Sequence, residues 1–202
     1  MTPMRPLDLP ALALLLVAVS GTGCGDDGAT TGSGGAGGGA STAPLVVDVA
    51  DGTIEGALIG ETRTFLGIPY AAPPVGALRW KPPQPHGPYS DRLQAIARGS
   101  VCPQKSPLND SLVESSEDCL TLNVWAPAHP TAEKLPIFVW IHGGGYVLGS
   151  GGEGAYDGQH FSEATGGIVV TMNYRLGPLG FLGLAALAGE DPAVPTTGNY
   201  GL

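Results

Sequence analysis

The 202-residue sequence predicts an α/β domain: a central, mostly parallel sheet entered through an N-terminal β-hairpin. Three observations carry that expectation. The first is "LVVDVADGTIEGAL" (45–58), two short alternating runs flanking Asp51-Gly52, a strong hairpin turn dipeptide. The second is a pair of runs rich in β-branched and aromatic residues, "CLTLNVWAP" (119–127) and "LPIFVWIH" (135–142). The latter is apolar on both faces, as a strand inside a sheet covered on both sides would be. The third is the order of segments after residue 142: a loop, a short helix "GQHFSEATG" ending at Gly166, the buried strand "GIVVTMNY", then a helix beginning in "GFLGLAALAG". Strand, helix, strand, helix in that order implies crossover connections and parallel pairing.

In chain order, residues 11–19, "ALALLLVAV", are nine uninterrupted apolar residues behind Arg5. A membrane-spanning helix needs about 20 such residues, so this run has the length of the apolar core of an export signal. Cys24 comes next in "SGTGCGDDG", preceded by small residues. This resembles a bacterial lipoprotein signal occupying residues 1–24, with Cys24 the lipidated residue; ordinary signal cleavage is the alternative. Residues 25–43 contain eight glycines and no large apolar side chain, so they cannot bury enough surface to offset chain ordering. They read as a disordered tether with a reach of roughly 24 Å.

The folded body is therefore 44–202. "TFLGIPYA" (64–71) is a further extended run, and prolines at 73, 74, 82, 83, 85 and 88 exclude regular helix from the connection after it. The chain has a formal net charge of −9 and no Lys/Arg cluster, which excludes nucleic acid as a partner. Cys102 and Cys119, with 16 residues between them, read as a disulfide in an oxidising compartment; two free buried thiols are the alternative. No metal or cofactor is expected.

His142-Gly143-Gly144-Gly145 stands at the C-terminal end of the most apolar strand, the edge where open α/β sheets bind ligands. Nucleotide binding is a poor reading. "GSGGEG" (149–154) matches G-x-G-x-x-G, but so does "GSGGAG" (32–37) in the tether, and the former does not directly succeed a strand. A bland glycine turn is the second reading. The third is an oxyanion hole, in which main-chain N–H groups stabilise the negative charge that acyl transfer builds on a carbonyl oxygen.

The segments "FLGIPYAAPPVGALRW", "SSEDCLTLNVWAP", "VWIHGGGYVLGSG", "NYRLGPLGFL" and "GNYGL" occur in the order seen in type B carboxylesterases, the family that includes cholinesterases. The resemblance covers essentially all of 45–202 and implies the N-terminal part of an α/β-hydrolase fold acting on small carboxylic esters. It implies that Gly144 and Gly145 supply oxyanion N–H groups, that Gly143 shapes the turn, and that His142 supports the loop and is not the catalytic base. It further implies that Cys102 and Cys119 close a loop, that Arg79 and Glu117 form an ion pair pinning it, and that Arg175 faces an acidic residue beyond Leu202. The segment 103–118 has no tryptophan, so stacking of a quaternary ammonium is unsupported.

No serine in the sequence sits in G-x-S-x-G, the strand-to-helix elbow that carries such an enzyme's nucleophile. Ser150, in "LGSGG", lacks the first glycine. None of the triad is present. Two function classes remain: a serine ester hydrolase represented by its N-terminal part and inactive alone, or a non-catalytic exported lipoprotein or binding module with a degenerate, truncated esterase domain. A sheet ending before the elbow strand also predicts an unpaired apolar edge and marginal solubility.

Overall fold

The computed structural model describes residues 43–105, 114–188 and 198–201; the expected signal, Cys24 and all but the last residue of the tether lie outside them. Strands β1 (Val46–Val49) and β2 (Gly52–Glu55) pair antiparallel, with Val49 opposite Gly52 across the turn. This is the expected hairpin. After Gly56 the chain enters β3 (Ala57–Ile59), turns back, and forms β4 (Thr62–Pro69). The proline-rich connection carries one short 3-10 turn, Gly76–Leu78, and leads to β5 (Leu93–Gln94), which joins β2 in parallel.

The larger sheet has five strands in the order β3-β4-β6-β8-β7, where β6 is Thr121–Pro127, β7 is Ile137–Ile141 and β8 is Ile168–Met172. Its strand directions correct the expectation of a mostly parallel sheet. Only β7 and β8 run parallel, joined through helix α1 (Gln159–Thr165) in a βαβ unit. The β3–β4, β4–β6 and β6–β8 pairings are antiparallel. Apolar runs report burial but not direction; direction depends on the connections, and here a tight β3–β4 turn and the placement of β8 beside β6 reverse it.

Helix α1 ends as its sequence predicts, at Gly166 in the left-handed conformation (φ 68°), whose N–H caps the Ser162 carbonyl. The final expected helix is two. Helix α2 (Gly177–Phe181) starts earlier, with Pro178 in its first turn, and stops at extended Leu182. Helix α3 (Ala185–Ala188) comes after Gly183 and Leu184. One apolar cluster, Ile54, Phe65, Ile68 and Ala95, lies between the two sheets' strands. A second, Ala71, Cys102, Cys119, Leu120, Tyr174 and Leu176, lies beside the glycine loop's base. Trp125 of β6 is fully buried; a Cβ on Gly158 would meet its ring at 2.8 Å, so α1 enters tightly against it.

Strand β7 departs from the expectation of a strand covered on both faces. It is an edge of the described sheet, and all five of its residues are exposed, Val139 at 55% and Trp140 at 47%. Phe138 touches Phe161 edge-on and Trp140 lies beside Tyr156, contacts that cover one face only in part. Five apolar residues on an open strand edge, without a charge or proline, form a template for pairing with another chain. Val139→Lys is expected to raise the monomer fraction in light scattering while changing stability by about 0.5 kcal/mol or less.

Candidate active site

Strand β7 delivers the chain into His142, which is 3% exposed. Its Nδ1 lies 2.8 Å from the Gly143 carbonyl oxygen, so Nδ1 carries the proton and donates it there. The ring stacks on Tyr174 with centroids 4.3 Å apart and planes 15° apart, and the Tyr174 hydroxyl donates to the His142 carbonyl at 2.9 Å. Burial pushes the Tyr174 phenol above its ordinary range, with Tyr146 adding to the shift. The other imidazole nitrogen, Nε2, is buried with no hydrogen-bond partner among the described residues.

The triplet then turns outward. Gly144 has φ +120°, and a Cβ there would run into the Leu148 carbonyl oxygen. Only glycine fits that combination of conformation and contact. The Gly144 carbonyl accepts from the N–H groups of Val147 (3.1 Å) and Leu148 (3.3 Å), which closes a turn. Among the described residues, the N–H groups of Gly143, Gly144 and Gly145 donate to no protein acceptor. Beyond them, the Tyr146 carbonyl accepts from Gly177 N–H at 2.7 Å, and its ring packs on Phe181 at 4.9 Å. Gly145, Tyr146, Val147, Phe181 and Leu182 line an open groove beside the triplet.

The far end of the loop rests on buried carboxamides. Asn173 Oδ1 accepts from Ser150 Oγ (3.0 Å) and Gly151 N–H (2.8 Å), while its Nδ2 donates to the Ser100 carbonyl (2.9 Å). Asn123 Nδ2 donates to Thr171 Oγ1 (3.1 Å), and Thr171 Oγ1 donates to the Gly151 carbonyl at 2.6 Å. Gln104 pairs with both main-chain groups of Gly149. Ser150 is 4% exposed and held in this network, which makes it a structural hydroxyl. Sequence reasoning assigned Asn123, Thr171, Asn173 and Gln104 no role. A polar residue in the middle of "LTLNVW" was the available signal, because a carboxamide inside a buried strand must find partners.

Cys102 and Cys119 are disulfide-bonded, with Cα atoms 5.1 Å apart, and both are buried. Replacing both by alanine is expected to cost about 3 kcal/mol in urea unfolding, from the loop-closure entropy returned to the unfolded chain. Arg79 meets Glu117 through two parallel hydrogen bonds of 2.6 Å. Those bonds raise the Arg79 guanidinium above its ordinary range. Arg175 is 3% exposed; its Nε donates to the Tyr200 carbonyl (3.0 Å) and Nη1 to the Lys81 carbonyl (2.8 Å), while Nη2 is buried without a hydrogen-bond partner among the described residues. Desolvation lowers its pKa, an effect that the phenols of Tyr70 and Tyr200 oppose. The Tyr70 hydroxyl, turned inward to the Asn173 carbonyl at 2.7 Å, is pushed up to about 12 by burial.

A sheet whose parallel pair carries a buried His into a glycine triplet, with a buried disulfide nearby, is the N-terminal part of an α/β-hydrolase fold. The chain belongs to the carboxylesterase family, whose model matches residues 43–202. It is 46% identical over 145 residues to the para-nitrobenzyl esterase of Bacillus subtilis, covering 70% of this chain and 29% of that one. To the fumonisin B1 esterase of Sphingopyxis macrogoltabida it is 42% identical, over 78% of this chain and 29% of the relative. To the acetylcholinesterase of Electrophorus electricus it is 43% identical, over 68% and 22%. Among solved structures, a PNB esterase superposes with a TM-score of 0.68 at 43% identity, covering 78% of this chain and 31% of that chain. The sequence thus spans under a third of the length of these relatives.

Proposed function

We propose that residues 44–202 supply the oxyanion-hole loop of a serine carboxylic-ester hydrolase acting on small-molecule esters, with Gly144 and Gly145 as the donors. The observation that carries this reading is the triplet of main-chain N–H groups at the end of β7 that donate to no protein acceptor among the described residues. Backbone donors held rigidly by a scaffold are worth most where charge develops, because nothing reorganises during reaction. Gly143 and His142 shape and support the loop. The reaction would be attack by a serine, an acyl-enzyme and hydrolysis by water. That serine is supplied from outside these 202 residues, since no serine within them lies in an elbow motif. Membership of the carboxylesterase family supports the reaction class.

Two measurements test it. The 202-residue chain should hydrolyse p-nitrophenyl butyrate no faster than buffer and take no fluorophosphonate label; labelling would place a nucleophile within it. Coding sequence downstream of Leu202 should open into a G-x-S-x-G elbow. A stop codon there would instead favour the second reading, a non-catalytic module. We further propose that the chain is exported and anchored to a bacterial envelope through lipid on Cys24, supported by the apolar run at 11–19 and the glycine-rich tether. Recovery of Cys24→Ala in the membrane fraction at the wild-type level would rule out that anchor.

A further inference from the structure

We infer that Gln104 is a positioning residue for the glycine loop, through which the Cys102–Cys119 cross-link holds the main-chain donors in place. Its catalytic consequence rests on the oxyanion reading; its structural content does not. Gln104 Oε1 accepts the Gly149 N–H at 2.8 Å, and Nε2 donates to the Gly149 carbonyl at 2.9 Å and to the Cys102 carbonyl at 3.1 Å. Two bonds of opposite sense to one residue fix both its distance and its orientation, as a strand neighbour would. The third bond ties the same carboxamide to the residue whose sulfur is bound to Cys119, immediately before Leu120 and β6.

Gly149 is where the loop closes on itself. It has φ +111°, and a Cβ there would overlap His142 Nδ1 and lie 2.7 Å from the Gly143 carbonyl oxygen. Its backbone is therefore seated directly against the first two residues of the donor segment. Fixing Gly149 fixes the neck of the loop from His142 to Gly149, and Gly144 and Gly145 lie within that loop. The Asn173 network grips Ser150 and Gly151, one and two residues further on. Among the described residues, Gln104 is the side chain that hydrogen-bonds Gly149, while the Tyr174 hydroxyl holds the His142 carbonyl at the other end of the neck.

The test is amide hydrogen exchange with assigned ¹⁵N spectra on the 202-residue chain. Gln104→Met keeps length and removes both polar atoms. It should speed exchange at Gly149 at least tenfold, shift its amide resonance, and broaden or shift Gly143–Gly145, while β6 and β8 amides keep wild-type protection. Reducing the disulfide in the wild-type chain should move the same loop resonances in the same direction. Unchanged exchange at Gly149, or equal acceleration throughout the sheet, would overturn the proposal, the second because it marks Gln104 as merely stabilising. If Gln104→Met does not fold, the wild-type side-chain amide protons of Gln104 decide. Slow exchange and dispersed shifts support the clamp, and averaged, fast-exchanging ones refute it. None of these readouts needs the loop to bind an anion, so a failed oxyanion assignment leaves the result interpretable.

Discussion

Asn173→Ala should destabilise the chain by about 3–4 kcal/mol, read as a lower urea midpoint with the disulfide intact. The side chain is 4% exposed and makes three hydrogen bonds, two received and one donated. Truncation leaves Ser150 Oγ and the Gly151 N–H without that acceptor. Both residues are buried, where a stranded polar group costs about 1–3 kcal/mol. The Ser100 carbonyl belongs to an exposed residue and regains water, so it adds little. A loss below about 1 kcal/mol would mean that the loop's far end is held by packing and not by this carboxamide.

The location of these groups explains why the loss should also reach the donor segment. A Cβ on Gly151 would meet the Met172 main chain at 2.6 Å, so the loop's far end lies directly on the end of β8. Asn173 comes just after that strand, and its own N–H donates to the Thr121 carbonyl of β6. One end of the glycine loop thus emerges from β7 and the other is pinned to the end of the parallel neighbour. The glycine triplet sits on a bridge between adjacent strand ends, which would suit the proposed oxyanion site, whose donors must not reorganise during reaction. Gln104 adds a brace from the disulfide loop.

Much of this architecture was legible in residues whose effect is local. Asp51-Gly52 announced a hairpin, Gly166 a helix end, and six prolines an irregular connection, because each acts through its own backbone conformation. The glycine run at the end of an apolar strand predicted an unusual backbone for the same reason, and Gly144 and Gly145 both have positive φ. What was illegible depends on partners distant in sequence. Asn173 and Gln104 look like ordinary amides until Ser150 and Gly149 are brought to them, and Asn123, whose strand shows that it needs partners, does not reveal that Gly151 is one. "IFVWI" advertised burial on both faces, and hydropathy alone did not say which neighbour would provide it; β7 is instead the unpaired apolar edge expected of a sheet ending before an elbow strand. Strand direction was likewise hidden: the parallel order was inferred from a helix between two strands, and among the described strands of the larger sheet it holds for that pair alone.

Gly144→Ala should have the largest effect on chemistry. In an expressed chain that carries the elbow, kcat is expected to fall by about 10²–10³ with KM little changed, the scale of losing one oxyanion donor. The added methyl must enter the space of the Leu148 carbonyl oxygen while the residue stays near φ +120°, which an L side chain resists. The turn closed onto the Gly144 carbonyl by Val147 and Leu148 then has to open, and the adjacent N–H groups rotate with it. The same substitution in the 202-residue chain should cost about 1–3 kcal/mol of stability, the range for backbone strain. Its neighbours provide the comparison. Gly143 has no positive φ and an added Cβ there meets nothing within 4 Å, so Gly143→Ala should be mild. Gly145 has equal space but φ +59°, so Gly145→Ala should pay about 1–2 kcal/mol for the left-handed conformation without a steric clash. The expected order of damage is Gly144, then Gly145, then Gly143. If all three alanines lowered kcat equally, the loss would come from blocked access to the triplet, and the assignment of Gly144 as a donor would fail.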